Sequence, residues 1–118
     1  MKNNIKLNID HNNAKRMEFF LNLVEEELVE APFVWRNWKN SDQIHDACKF
    51  ISVDSKDPVT ICVLFCNSYY DANQIGRENE LPSLPTAKWS VNGDVLYFVE
   101  SNDAEKVSDI LSLFAGEE

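Results

Sequence analysis

The chain has 118 residues, of which 44% are hydrophobic, and it carries a net charge of −9. This length predicts a single domain over residues 1–118, and the hydrophobic content excludes global disorder. The acidity argues against nucleic acid as a partner, because phosphate binding requires basic patches. No apolar run approaches the roughly 20 residues of a membrane span. Residues 1–10 alternate polar and apolar side chains, so they lack the apolar block of a signal peptide. We therefore expect a cytoplasmic protein without membrane contacts.

The first third of the chain predicts a strand followed by a long helix. Residues 5–9 alternate apolar and polar side chains, which is typical of a strand with one buried face. From Ala14 to Glu30, apolar residues recur at helical spacing, and Asn12 or Asn13 precedes them as a candidate N-cap. We therefore expect an edge strand and then a helix of about five turns.

The predicted helix carries apolar residues on more than one side. Phe19 and Leu23 lie nearly opposite its main apolar stripe. Either the fold encloses this helix, or these two residues form an interface with another chain. Glu25 to Glu27 and Glu30 occupy its C-terminal end, where carboxylates oppose the helix dipole. We expect these four glutamates to form a solvated face, and the alternative is a docking surface for a basic partner.

Residues 59–66 predict a strand that is buried on both faces, because apolar side chains fill almost every position. Side chains alternate between the two faces of a strand. One face is then formed by Ile61, Val63 and Phe65, and the other by Cys62, Leu64 and Cys66. A turn at residues 55–58 connects this segment to a strand at residues 49–54, so we expect an antiparallel hairpin.

A second hairpin is predicted over residues 88–100. The dipeptide Asn92-Gly93 lies between two apolar runs, which is the signal of a type I′ turn. This turn would pair Val91 with Asp94. One face of the hairpin would carry Ala87, Trp89, Val91, Leu96 and Phe98, and the other Val95, Tyr97 and Val99.

Helical segments are predicted on both sides of this hairpin. The connection 67–86 precedes it with little periodicity, apart from a short helix around residues 70–75. After the hairpin, Asn102 to Glu105 resemble a capping box with Asn102 as the cap. A single apolar stripe then runs from Ala104 to Phe114 and predicts the second main helix.

The elements predict an α+β fold in the order β-α-β-β-β-β-α, with an antiparallel sheet of four to five strands and two main helices. If both main helices cover one face of the sheet, apolar rows stay exposed on the other face. We therefore expect a homodimer that forms through that face or through Phe19 and Leu23.

Common catalytic and cofactor motifs are absent from the sequence. The chain has three glycines, which leaves no Gly-rich phosphate loop, and it has no CxxC, HExxH or nucleophile-elbow motif. Cys62 and Cys66, four residues apart on one strand, are too distant to share a disulfide or a metal ion. We predict reduced core thiols, no metal site and no cofactor.

One short segment has the residue types of a nucleophile site. If Ser41 to Cys48 formed a helix, His45 would neighbour Cys48, and Asp42 would lie one turn earlier to orient the imidazole. If the segment is extended, His45 and Cys48 point apart, and Cys48 is an inert core thiol. We assign no catalytic residue on this spacing alone.

Two segments rich in aromatic and basic residues are the stronger binding candidates. Tryptophan and arginine are frequent anchors at interfaces, and long loops often carry function. If the two segments meet, they form an aromatic cleft whose arginines can pair a carboxylate; otherwise the large rings seal one end of the core. The candidates are Trp35, Arg36 and Trp38 in the first segment and Tyr69, Tyr70 and Arg77 in the second.

The sequence therefore favours a non-enzymatic binding protein, such as an adaptor, inhibitor or accessory subunit that acts through protein–protein contacts. The alternative is a small-molecule-binding protein or minor enzyme that uses an aromatic cleft near Trp35 and Trp38, with His45 and Cys48 beside it. The two functions differ in an observable way, since an adaptor exposes a flat apolar patch whereas a ligand binder has a concave pocket.

Overall fold

The computed structural model describes residues 9–35, 38–53 and 56–115. In this part of the chain the elements are α1 (His11–Leu23), β1 (Leu28–Ala31), β2 (Ile44–Ser52), β3 (Val59–Cys66), α2 (Tyr69–Glu78), β4 (Ala87–Asn92), β5 (Val95–Ser101) and α3 (Ala104–Ala115). The strands form one antiparallel sheet with the spatial order β1-β2-β3-β5-β4. The fold is thus α+β, as the sequence predicts, and its sheet has five strands.

Strand β3 lies at the centre of the sheet and is buried on both faces, which confirms the sequence prediction. Ile61, Val63 and Phe65 belong to one core layer, on what we call the first face of the sheet. Cys62, Leu64 and Cys66 belong to a separate layer on the second face. The two layers explain why this strand lacks the alternation of a half-exposed strand.

Helices α1 and α3 both cover the first face. Met17 and Leu21 of α1 pack there together with Val107 and Phe114 of α3, and all four are buried. Helix α2 covers part of the second face through Ala72 and Ile75, and a group of larger side chains extends its layer. That group contains Phe33, Trp38, Leu81 and Trp89.

The cover on the second face is incomplete. Val29 of β1 and Ile51 of β2 are partners in adjacent strands, and both side chains are exposed. Directly opposed residues in a sheet share a face, so these two form an apolar row next to Thr60 of β3. This one exposed pair is the part of the expected apolar rows that the structure shows, since α2 and its neighbours cover the centre of the second face.

Helix α1 is shorter than the predicted helix over residues 14–30. It begins at His11 after the N-cap Asp10, whose side chain accepts a hydrogen bond from the backbone N–H of Asn12, and it ends at Leu23. The cap is thus Asp10 and not Asn12 or Asn13. The three consecutive glutamates that follow disfavour a longer helix, because their carboxylates would oppose its dipole.

Residues 28–31 form an edge strand where the sequence predicted helix. Leu28 to Ala31 pair with Lys49 to Ser52 of β2. Val24 and Leu28 are still buried in the first core layer, so the apolar spacing is satisfied by an extended segment as well as by a helix. The predicted strand 5–9 lies outside the described residues except for Ile9, which packs against the same layer.

The β4–β5 hairpin has the predicted faces but a different register. Val91 pairs with Leu96 and not with Asp94, so Gly93 and Asp94 form the loop. Gly93 has a φ of +64°, whereas Asp94 is not among the residues with positive φ. A glycine at the first loop position is the pattern of a type II′ turn, which explains the departure from the predicted type I′ turn.

Helices α2 and α3 also differ in detail from the prediction. Helix α2 is longer than the expected segment 70–75, and the Ser68 side chain caps it by accepting from the Asp71 N–H. The cap of α3 is Asp103, one residue after the predicted Asn102, and its carboxylate accepts from the Glu105 N–H. Because residues 28–31 form a strand and α2 is a full helix, the order of elements in the described residues is α-β-β-β-α-β-β-α.

Gly76 of α2 provides a test of the packing on the second face. A Cβ atom at this position would overlap the indole ring of Trp89 on β4. We expect Gly76→Ala to destabilise the protein by about 1–3 kcal/mol, because the ring must move, although alanine favours helix. Urea titration measures the change. In a Trp89→Leu background the same substitution should cost nothing, and an equal loss in both backgrounds would contradict this packing.

Candidate binding surfaces

Helices α1 and α3 run antiparallel and enclose an apolar groove, which we call the α1/α3 groove. The rings of Phe20 on α1 and Phe114 near the end of α3 contact each other, with centroids 5.5 Å apart. Beyond the end of α1, Glu26 pairs with Lys106 near the start of α3, at a carboxylate-to-ammonium distance of 3.3 Å. The last turn of α1 and the segment after it therefore contact α3 at two points along its length.

A pocket of about 100 Å³ lies in the α1/α3 groove. Leu23, Ile110 and Leu113 form its apolar part. Phe19, one helical turn before Leu23, is 65% exposed, and Leu23 is 43% exposed. Phe19 and Leu23 are the residues that broke the predicted helical stripe, and both are at the protein surface.

The rim of the pocket is acidic. Glu25, Glu26 and Asp109 line it together with a single cation, Lys106. The ammonium of Lys106 donates to the Glu26 carboxylate and also to the backbone carbonyl of Asp57 at 3.2 Å. Lys106 is thus held by groups of this chain, and the rim keeps an excess of negative charge.

A second groove lies at the end of β1, and we call it the edge groove. Strand β1 ends opposite Lys49, but β2 continues to Ile44, so the outer edge of β2 is not covered by β1 along Ile44 to Cys48. The space has a volume of about 450 Å³. It is lined by Glu30, Ala31, Pro32, Phe33, Trp35, Ala47 and Cys48.

The aromatic residues around the edge groove divide into anchored and exposed rings. Phe33 stacks on Trp38 with a centroid distance of 5.6 Å and an interplanar angle of 21°, and both pack against the second core layer. Trp35 meets Phe33 edge to face at 5.0 Å and 71° and is 42% exposed. Trp38 therefore seals the core, whereas Trp35 is available to a ligand.

Hydrogen bonds join the end of the first aromatic segment to the C-terminal end of α2. The Lys39 N–H donates to the Asn79 side-chain oxygen at 2.7 Å, and the Asn79 amide donates back to the Lys39 carbonyl at 3.2 Å. Tyr69 and Tyr70 lie in the first turn of α2, at the opposite end of this helix, and both are exposed. Neither tyrosine is among the residues that line the edge groove.

The two arginine candidates do not complete the predicted cleft. Arg77 is exposed in the last turn of α2 and does not line the edge groove. Arg36 lies outside the described residues. Among the six binding candidates, Trp35 is thus the residue that the structure places in a groove.

The helical arrangement of His45 and Cys48 is wrong, because both residues belong to β2. A bulge between Ile44 and Asp46 makes His45 an extra, exposed residue in the ladder. Cys48 is 2% exposed, and burial, with smaller contributions from Glu30 and Asp46, raises the pKa of its thiol. A buried thiol that resists deprotonation is unsuited to nucleophilic attack.

A polar cluster that sequence analysis missed joins α1 to the sheet. The Asp46 carboxylate accepts from the Asp10 N–H at 2.8 Å and from the Asn13 amide at 3.1 Å. Arg16 pairs with Asp94 at 3.0 Å, and its guanidinium lies 5.5 Å from the centroid of the Phe65 ring. These contacts span long sequence separations and hold α1 over the first face.

The described residues contain no group of three or more His, Cys, Asp or Glu side chains arranged to hold a metal ion. None of the helices in the described ranges has both the length and the apolar content of a membrane span. Comparison of the chain with protein-family models, with curated proteins and with solved structures finds no match.

The buried thiols predict a loss of stability at alkaline pH. Burial raises the pKa of Cys62 to about 11 and that of Cys66 to about 12. The unfolded thiols ionise near pH 8.5, so above that pH the folded state holds more protons and unfolding becomes more favourable. We expect each thiol to reduce the free energy of unfolding by roughly 1 kcal/mol per pH unit between about pH 9 and 10.

Urea titrations at a series of pH values measure this slope. A Cys62→Ala variant removes one buried thiol, so its stability should fall less steeply over the same interval. Lysine and tyrosine ionisation contributes equally to both proteins and cancels in the comparison. Identical slopes for the two proteins would show that the thiols ionise normally and are accessible to water.

Proposed function

We propose that the protein acts by binding another protein, as an adaptor, inhibitor or accessory subunit, through the α1/α3 groove. The observation that carries this proposal is the exposure of Leu23 in an apolar pocket and of Phe19 one helical turn before it. Isolated apolar side chains are common at surfaces, but contiguous apolar patches with a polar rim are typical of interaction sites. The three free cysteines support a reducing compartment such as the cytoplasm.

The partner that fits this groove is a basic amphipathic helix. A helix lying in a groove inserts apolar anchors at a spacing of three or four residues. One aliphatic anchor matches the pocket of about 100 Å³ beside Leu23. Lysine or arginine residues flanking that anchor would meet Glu25 and Asp109 on the rim.

Charge disfavours a second copy of this chain as the occupant. Each copy carries a net charge of −9, and a two-fold contact would bring two acidic rims together. A homodimer, which the sequence suggested, is therefore the alternative outcome for this surface. A basic helix and a second copy would both contact Phe19 and Leu23. Only the basic helix would be attracted by the carboxylate of Asp109, so this residue distinguishes the two occupants.

A labelled synthetic peptide tests the proposal directly. The probe is a helix of about four turns with leucines on one face and lysines on the other, followed by fluorescence anisotropy. We expect Leu23→Ser and Asp109→Lys each to weaken binding about tenfold, because the first removes an apolar contact in the pocket and the second reverses a charge on its rim. Leu84→Ser and Glu80→Lys make the same chemical changes at exposed positions elsewhere and should leave binding almost unchanged.

Two results would overturn this assignment. If Glu80→Lys weakens binding as much as Asp109→Lys, the peptide responds to net charge and not to the groove. If light scattering finds a dimer of the wild-type protein that Leu23→Ser dissociates, the surface binds a second copy instead.

A second candidate function, binding of a small molecule, is supported by the edge groove. This groove is open to solvent, has a volume of about 450 Å³ and contains the exposed ring of Trp35. Ligand sites of this size usually combine aromatic walls with a few polar groups. The enzymatic form of this candidate lacks support, since Cys48 is buried and has a raised pKa.

A further inference from the structure

We infer that a second copy of this chain pairs with the outer edge of β4, so that the two sheets join into one. This inference goes beyond the proposed function, because it concerns a different surface and a different partner. Strand β4 is the last strand of the sheet and has six residues, Ala87–Asn92. An edge strand with unpaired backbone groups is a template for pairing with another chain.

The outward backbone groups of β4 that await a partner belong to Trp89 and Val91. The Ser101 N–H of β5 donates to the Thr86 carbonyl, so residue 86 and every second residue after it face β5. The residues between them face outward. Ala87, the first of these, is already bonded through its N–H and its carbonyl to the preceding loop, at 3.1 and 2.8 Å. No described residue pairs with the outward groups of Trp89 and Val91.

The opposite edge of the sheet is less suited to pairing. Strand β1 has four residues and is followed by Pro32, which cannot donate a backbone hydrogen bond. The part of β2 beyond β1 contains a bulge between Ile44 and Asp46, and the Asp46 carboxylate accepts from the Ala47 N–H at 3.1 Å. Short strands and bulges prevent pairing between edges. Strand β4, in contrast, pairs with β5 without a register shift and contains no carboxylate.

One two-fold register satisfies all the outward groups of Trp89 and Val91. If Ser90 lies opposite Ser90 of the second copy, Trp89 of each copy exchanges two hydrogen bonds with Val91 of the other. Both side chains belong to the second face of the sheet. An aromatic ring opposite a β-branched side chain is a favourable cross-strand pair, so the side chains support the same register as the backbone.

Local charge favours this contact, although each copy carries a net charge of −9. In the same register Lys88 lies diagonally across from Asp94 of the second copy, within reach of a long side chain. Lys88 is the partner of Val99, which belongs to the first core layer, and Asp94 pairs with Arg16 of α1, which covers that face. Both charges are therefore on the first face, and a two-fold contact contains this attractive pair twice.

Helix α3 has an uncharged side next to the β4 edge. Its side toward α1 carries Lys106 and Asp109, which line the α1/α3 groove. At 100° per residue, the opposite side carries Ala104, Ser108 and Leu111. Helix α3 packs on β4 and β5, so the two-fold contact places the α3 helices of both copies side by side. These small or apolar side chains allow a close approach without burying a charge.

Two opposite substitutions at Ser90 test the inference in the full chain. Ser90→Lys and Ser90→Glu each place like charges opposite one another across the two-fold axis. We expect each to raise the dissociation constant of the dimer about tenfold, as measured by analytical ultracentrifugation over a concentration series. An equimolar mixture of the two variants should restore the dimer, because unlike charges then lie opposite one another.

Ser41→Lys and Ser41→Glu are the matched controls. Ser41 is exposed and lies just before β2, which is separated from β4 by two strands. These controls should dimerise like the wild-type protein. Val91→Pro is an independent variant that removes an outward N–H and no hydrogen bond to β5, so it should separate the dimer while circular dichroism stays native.

Three results would contradict the inference. The first is a wild-type chain that stays monomeric at its highest soluble concentration. The second is a mixture of the two Ser90 variants that does not associate, or a dimer that Ser90→Lys and Val91→Pro leave intact. The third is a dimer that Leu23→Ser separates and the Ser90 variants do not, since the second copy would then bind the α1/α3 groove.

Discussion

Strand β3 has apolar side chains on both faces, so the fold must exclude water from both sides of the sheet. Helices α1 and α3 cover the first face. Helix α2 has only ten residues and covers one end of the second face, so the chain between β1 and β2 folds over the sheet edge and adds Phe33 and Trp38. This requirement for cover places Trp35 beside Phe33 and thereby creates the edge groove.

The first face differs from the second because two helices, α1 and α3, cover it together. Each helix turns one side to the sheet and another to its neighbour, and the contact between Phe20 and Phe114 sets their approach. Apolar residues beyond that contact, Phe19 and Leu23, have no place in the core and stay at the surface. Both proposed binding surfaces are therefore consequences of how the core is covered.

Side-chain periodicity predicted β3, the faces of the β4–β5 hairpin and α3, because it reports directly which residues are buried. It failed over residues 24–31, where Val24 and Leu28 are buried in an extended segment that has helical spacing. Periodicity did not predict the grooves, because only tertiary packing places Leu23 and Leu113 in one pocket and Glu30 and Cys48 in one groove. Phe19 and Leu23 were recognisable in advance because they interrupt the stripe of their own helix.

Amide hydrogen exchange of β3 tests the central claim, which is that this strand is enclosed on both faces. Amides that exchange only through global unfolding belong to the most protected part of a fold. We expect residues 60–65 to exchange more slowly than those of the edge strand β1, at rates that follow the free energy of global unfolding. Rapid exchange of residues 60–65 under native conditions would contradict the two-sided core and the placement of both grooves.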